Sequence, residues 1–170
     1  MDALPLLKQL RTGIGYDVHA FAQGRPLILG GVTLPHACGL AGHSDADVLA
    51  HAVTDALLGA ARIEGAADIG QLFPDSDDRF LGADSLQLLQ TAAEYVQKSG
   101  YTILDVDCLL VAQEPRLAPY RDEMRTNLAR ALSLDVSRIG LKATTTEGLG
   151  FAGRKEGIAA QAAVLLCAPA

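Results

Sequence analysis

Polar and apolar positions alternate over Thr12 to His19 (TGIGYDVH), a two-residue period that predicts a strand with two distinct faces. Pro26 to Pro35 (PLILGGVTLP) reads as two short strands folded about Gly30-Gly31, a hairpin signal. The period then changes. From Gly42 to Gly59 (GHSDADVLAHAVTDALLG) the spacing predicts a helix, with Ser44 or Asp45 placed to cap its N-terminus. Val48, Leu49, Ala52, Val53, Leu57 and Leu58 form its core-facing side. Asp47, His51 and Asp55 recur every four residues and line one stripe, drifting about 40° per step.

Arg62 to Asp84 is a long connection rich in Gly, Asp and Pro, of a length that compact domains keep for functional or mobile segments. Asp84 then caps a predicted helix, SLQLLQTAAEYVQKSG, which closes on Lys98 and Gly100. Tyr101 to Ala112 reads as a long, central strand. Pro115 interrupts, a helix follows from about Pro119 to Leu132, and Arg138 to Thr145 and Ile158 to Cys167 read as closing strands. The order lacks a regular βαβ rhythm. The expected class is α+β, with helices on one face of a mixed sheet. The other sheet face would be bare, and oligomerisation is its simplest cover.

Composition narrows the function. Apolar residues make up 49% and charged residues 20% of 170, enough for one domain with a sizeable core. Residues 12–170 are expected to form that domain, and residues 1–11 an N-terminal extension with no signal-peptide pattern. Fourteen Lys and Arg against twenty Asp and Glu give a net charge of −6, and no basic run is present. Nucleic-acid binding by counterion release is excluded on that ground. An anionic ligand would need local means of capture, such as metal ions, backbone amides or a few placed cations. Cys38, Cys108 and Cys167 form no CxxC pair, which fits a reducing cytosol and argues against a thiolate zinc cluster. No apolar run reaches bilayer length, so a cytoplasmic protein without membrane contact is expected.

Three groups of residues can carry chemistry. Asp17 and His19 are two apart on a strand and point the same way. With His51 they offer one carboxylate and two imidazoles, the donor set of a catalytic zinc site with a position left open. A half-buried His beside a turn Asp is the plainer alternative. Asp47 and Asp55 offer carboxylates for the second N–H of a ligating His51, unless that stripe is simply a solvated face. Asp68-Ile69-Gly70 and Phe73-Pro74-Asp75-Ser76-Asp77 either accept hydrogen bonds from substrate hydroxyls or form a polar turn, and both readings stay open. Thr144, Thr145 and Thr146 suit phosphate oxygens, and Glu147 is a hard-oxygen ligand for Mg²⁺. Gly13 and Gly15 complete no dinucleotide GxGxxG, and no GxSxG or paired Cys–His nucleophile is recognisable.

The segments GYDVHAF, ILGGVTLP, GHSDADVLAHAVTDALLGA, DIGQLFPDSD, GADS, the AQEP turn and KATTTEGLGFAGR resemble those of the 2-C-methyl-D-erythritol 2,4-cyclodiphosphate synthases. They fall in order across nearly the whole chain from Thr12, and together they are specific where each alone is weak. The resemblance implies a homotrimer of α+β subunits, sheets packed around the threefold axis, with active sites at the subunit interfaces. It implies a CMP-releasing phosphorus–oxygen lyase of non-mevalonate isoprenoid (terpenoid) biosynthesis. The substrate would be 4-diphosphocytidyl-2-C-methyl-D-erythritol 2-phosphate.

Carried over by residue, the resemblance makes Asp17, His19 and His51 zinc ligands and Glu147 the ligand of a second divalent cation, Mg²⁺ or Mn²⁺. His43 and Thr145 become transition-state stabilisers, with Ser44 beside them. Asp17, Val18 and His19 flank the substrate. Asp68, Ile69, Gly70, Phe73, Pro74, Asp75, Ser76 and Asp77 hold its methylerythritol part. The cytidine and diphosphate pocket falls to Ala112, Gln113, Glu114, Pro115, Arg116, Leu117 and Ala118 with Thr144, Thr145, Thr146 and Glu147. Phe151 and Arg154 are further contacts. Ala46 stands where Gly is usual, Gly148 where Lys is frequent, and the Arg62 to Ala67 segment is longer than expected. The donor set also fits a zinc phosphohydrolase, and the nucleotide pocket a non-catalytic cytidine-binding trimer.

Overall fold

The computed structural model describes residues 7–74 and 76–169, so residues 1–6 of the expected extension, Asp75 and Ala170 lie outside the described residues. Strand β1 (Leu10–Ala22) extends the predicted strand in both directions, and β2 (Leu27–Leu29) and β3 (Val32–Leu34) form the expected hairpin. With β4 (Gly39–Leu40), β5 (Thr102–Val111), β6 (Ile139–Thr144) and β7 (Gly157–Cys167), a five-stranded sheet runs β4-β1-β7-β5-β6. Its neighbours are antiparallel except β5 and β6. A parallel pair requires a crossover, which passes through α4 (Arg121–Leu132). The sheet is mixed and the class α+β.

Helix α1 (Val48–Ala61) lies across β1 and β7, with α3 (Ser85–Lys98) packed behind it. Two glycines set how close it comes. A Cβ at Gly13 would lie 2.0 Å from the Ala56 carbonyl oxygen, and one at Gly15 would lie 1.9 Å from that of Ala52. These residues, discounted as a nucleotide motif, let the strand backbone touch the helix backbone. On the same strand face, Asp17 and His19 therefore reach the N-terminal half of α1. Leu49, Leu57 and Leu58 are fully buried, each stabilising the fold by about 1.5–3 kcal/mol relative to exposure.

The helix starts later than its sequence pattern indicates. Neither Ser44 nor Asp45 caps it; Asp47 does, accepting from the amides of Leu49 and Ala50. Ala46 explains the delay, since its φ of 60° is incompatible with a helical turn. Glycine adopts that conformation without a Cβ penalty, so Ala46 carries a strain that glycine would not. The long connection holds short helix α2 (Ile69–Leu72) and a 3₁₀ turn at Asp78–Phe80. Asp84 caps α3 as expected, accepting from Leu86 N at 2.9 Å. Among the described residues, no helix is long and apolar enough to cross a membrane.

Candidate active site

The strand and the helix bring three donor atoms to one point. Asp17 Oδ2 lies 2.9 Å from His19 Nε2 and 3.0 Å from His51 Nδ1, and the two ring nitrogens are 3.1 Å apart. His19 Nδ1 faces the Ala41 carbonyl, which can only accept, so this nitrogen carries a proton and Nε2 is the atom left to Asp17 or to a cation. The near-equilateral triangle is slightly tighter than the about 3.3 Å edge of a tetrahedron built on zinc–nitrogen bonds of about 2.0–2.1 Å. One carboxylate and two imidazoles, each ring held through its other nitrogen, fit a divalent cation such as zinc.

Burial pushes the Asp17 carboxyl up, and hydrogen bonds and charge from His19 and His51 more than reverse this, holding it well below the usual carboxylate range. Burial pulls His19 down, and the hydrogen bond and charge of Asp17 carry it above the usual imidazole value. Asp17 and His19 thus shift each other's proton affinity, and a cation would compete for the same atoms.

The supports around His51 differ from the Asp47–Asp55 stripe read from the sequence. Asp47 is fully buried and turned away, accepting from Gly30 N at 2.9 Å and Gly31 N at 2.7 Å as well as from the helix amides. Its place at the cap, not on the helix surface, explains why. Asp55 accepts from Ile69 N at 2.8 Å and so anchors α2. The partners of His51 Nε2 are two hydroxyls, Ser85 Oγ at 2.9 Å and Ser44 Oγ at 3.0 Å. Ser85 in turn donates to Asp45 Oδ1. The Asp45–Ser85 contact escaped sequence reasoning, although Asp45 was read as a cap and GADS was a recognisable segment, because nothing local joins Asp45 to a serine forty residues away.

The triad opens on a cavity of about 240 Å³, walled also by His43, Ser44, Ile69, Gly70 and Phe73. His43 Nε2 is buried without a hydrogen-bond partner among the described residues. An Arg25 guanidinium holds the carbonyls of Gly42 and Ser44, straddling His43. Asp68 caps α2 through Gln71 N at 2.8 Å. Asp77 is engaged by Arg79, and Pro74 and Ser76 lie on the turn between. Val18 points to the opposite sheet face and is 45% exposed.

A second cavity, of about 300 Å³, gathers Ala112, Gln113, Pro115, Arg116, Leu117 and Ala118 against Thr144 and Thr145. Glu114 turns aside to Lys155 Nζ at 2.6 Å. Glu147 accepts from Thr145 Oγ1 at 2.9 Å and stands outside the triad's cluster. Thr146 and Phe151 line a third cavity, and Arg154 makes a two-pronged pair with Glu156. The first two cavities have no lining residue in common among the described residues.

The sequence profile of the YgbB family matches residues 10–167. The chain belongs to the YgbB family. A curated relative from Syntrophobacter fumaroxidans, named 2-C-methyl-D-erythritol 2,4-cyclodiphosphate synthase, is 58% identical over 157 residues, covering 92% of this chain and 97% of that one. The solved bifunctional IspDF from Campylobacter jejuni is 48% identical with a TM-score of 0.88; the match covers 94% of this chain and 42% of that longer one. The Plasmodium falciparum IspF, solved as a CDP complex, is 34% identical with a TM-score of 0.80, covering 95% of this chain and 97% of that one. The YgbB match begins at the first residue of β1 and ends at the last of β7, so it contains every donor of the triad.

Proposed function

We propose that this YgbB-family chain is a cytoplasmic, homotrimeric lyase of non-mevalonate isoprenoid biosynthesis. It cyclises 4-diphosphocytidyl-2-C-methyl-D-erythritol 2-phosphate to 2-C-methyl-D-erythritol 2,4-cyclodiphosphate and releases CMP. The observation that carries the reading is the three-atom Asp17–His19–His51 cluster at the mouth of a cavity holding an unpartnered His43 nitrogen. The synthase names of its relatives and the CDP-bound neighbour support the substrate class.

Zinc held by Asp17, His19 and His51, with Mg²⁺ or Mn²⁺ at Glu147, would supply Lewis-acid polarisation and neutralise phosphate charge in a chain of net charge −6. The chain's own residues do the rest. The 2-phosphate oxygen is already ionised and attacks the β-phosphorus as the bond to the CMP oxygen breaks, so no strong base is needed. Positioning and electrostatics dominate such a transfer. His43 and Thr145 bond the phosphoryl oxygens as charge spreads over them. The segment from Asp68 to Asp77, of which Ile69, Gly70 and Phe73 wall the cavity, holds the methylerythritol part, with Phe73 excluding water. The loop from Ala112 to Ala118 and residues Thr144 to Glu147 hold cytidine and diphosphate, contributed by the neighbouring subunit. Phe151 and Arg154 lie beyond, as outer contacts.

Incubation with substrate in ¹⁸O-water tests this. Unlabelled cyclic product and CMP are expected, and His51→Ala should lower the rate by more than about 10³-fold while the fold persists. Label entering product phosphate would favour a zinc phosphohydrolase. Nucleotide binding without turnover, indifferent to metal, would make the chain a binding trimer.

A further inference from the structure

The hydroxyl at Ser85 sets what His51 Nε2 meets on the side away from the triad. Asp45 is a carboxylate in hydrogen-bond contact with Ser85 Oγ and can only accept, so the single Ser85 hydroxyl proton points at Asp45. The remaining lone pairs of Ser85 Oγ face His51 Nε2 at 2.9 Å and Ser44 Oγ at 3.2 Å. A lone pair on His51 Nε2 would oppose them. Ser85 Oγ therefore stands as an acceptor for an Nε2–H, while Nδ1 faces the Asp17 carboxylate at 3.0 Å, which competes for the same ring proton until a cation takes the Nδ1 lone pair.

Ser44 completes the accounting. Its oxygen accepts from Ala46 N at 3.1 Å and lies 3.0 Å from His51 Nε2 and 3.2 Å from Ser85 Oγ; with a proton on Nε2, its own proton goes to Ser85. Asp45 is fixed in turn: its Oδ2 accepts from Ser85 N at 3.2 Å, its Oδ1 accepts from Asp47 N at 3.2 Å, and its amide donates to Ala83 O at 3.0 Å. Ser85 is 1% exposed, so water does not compete for these bonds.

We propose that Asp45 and Ser85 form a relay that holds the His51 ring proton on Nε2 once Nδ1 binds a divalent cation, and so strengthens that binding. A metal-ligating His usually gives its outer N–H directly to a carboxylate or carbonyl, and removing that partner lowers metal affinity about 10–100-fold. Here a serine is inserted between ring and carboxylate. What the relay fixes is the position of the proton, leaving the charge of the ring aside. Ser85 and Asp45 are positioning residues, and their role rests on the triad being a metal site as proposed above.

Two readouts other than turnover test the relay. The chain contains only four histidines, so long-range ¹H–¹⁵N spectra of the zinc-loaded protein at pH 8 can resolve each ring. His51 is expected to show a slowly exchanging Nε2–H bonded to Ser85, and Ser85→Ala should let that proton exchange quickly with water. Competition with a chromophoric chelator should show zinc affinity falling about 10–100-fold in Ser85→Ala. Asp45→Asn should also weaken it, because the amide NH₂ would then face an N–H donor, and this variant serves if Ser85→Ala fails to fold. Ser85→Thr, which keeps the hydroxyl, should retain the slowly exchanging proton. A rapidly exchanging Nε2–H in the wild type, or affinities in both variants within about twofold of it, would overturn the relay. Absence of zinc binding by the wild type would instead strike the proposed function, and the relay with it.

Discussion

Asp17 and His19 move each other's protonation in opposite directions, and the consequence is a pH window. Asp17 is depressed in the fold, so its contribution is present above the usual value of 3.8 and is lost as pH falls. His19 is raised, so its contribution is complete below 6.5 and is lost as pH rises through the folded value. Metal-stripped protein should therefore unfold at its highest temperature between those two values and at a lower one near pH 8. Adding zinc at pH 8 should restore it, since a cation needs the unprotonated nitrogens. Thermal melts with and without chelator check this. A metal-free melting temperature that keeps climbing through pH 8 would contradict the pairing.

Asp47 shows what residue-level reading misses. A four-residue spacing put it with His51, yet its carboxylate accepts four backbone amides, those of Gly30, Gly31, Leu49 and Ala50. Periodicity reports which face a residue occupies only once it is inside the helix. A cap residue directs its side chain back over the first turn instead. Asp47→Ala should strand these buried donors and cost on the order of 3–5 kcal/mol, with a fall in melting temperature of about 10 °C. A variant within about 1 kcal/mol of wild type in denaturant titration would mean that water replaces the carboxylate.

At the scale of elements, the close seat of α1 on β1 is what gathers the triad. Gly15→Ala would place a methyl group against the Ala52 carbonyl. The helix must then lift off the strand, at a cost of about 1–3 kcal/mol or more. His51 precedes Ala52, so the triangle should open along with it. The expected outcome is a folded variant with weakened zinc binding, read by chelator competition and unfolding together. Normal affinity at wild-type stability would show that the contact is dispensable. The alternation of β1, the Gly30-Gly31 hairpin and the Asp84 cap were all legible because each is a local pattern. The bent segment before α1 was not, because it depends on the left-handed Ala46 and on contacts from Gly82, Ala83 and Ser85 about forty residues away. Asp68 marks the boundary: its turn reading and its binding reading fit one sequence, and its observed bond is a cap.

Over the whole molecule, two separations remain to be joined. One sheet face presents Ile14, Tyr16 and Val18 at 72%, 57% and 45% exposure, an apolar row left uncovered by the chain's own helices. Among the described residues, the triad's cavity and the cavity walled by Thr144 and Thr145 share none. A trimer closed through the bare face would answer both, pairing the triad of one subunit with the threonines of the next. Mixing separates this from a site contained in one chain. His51→Ala and Thr145→Ala subunits should each be inactive alone. Unfolded and refolded together in equal amounts, they should form intact sites wherever a Thr145→Ala triad meets a His51→Ala threonine. Random assembly makes that about one interface in four, so recovered activity should approach about a quarter of wild type. A mixture as inactive as its components would confine each site to a single chain and leave the exposed row without this explanation.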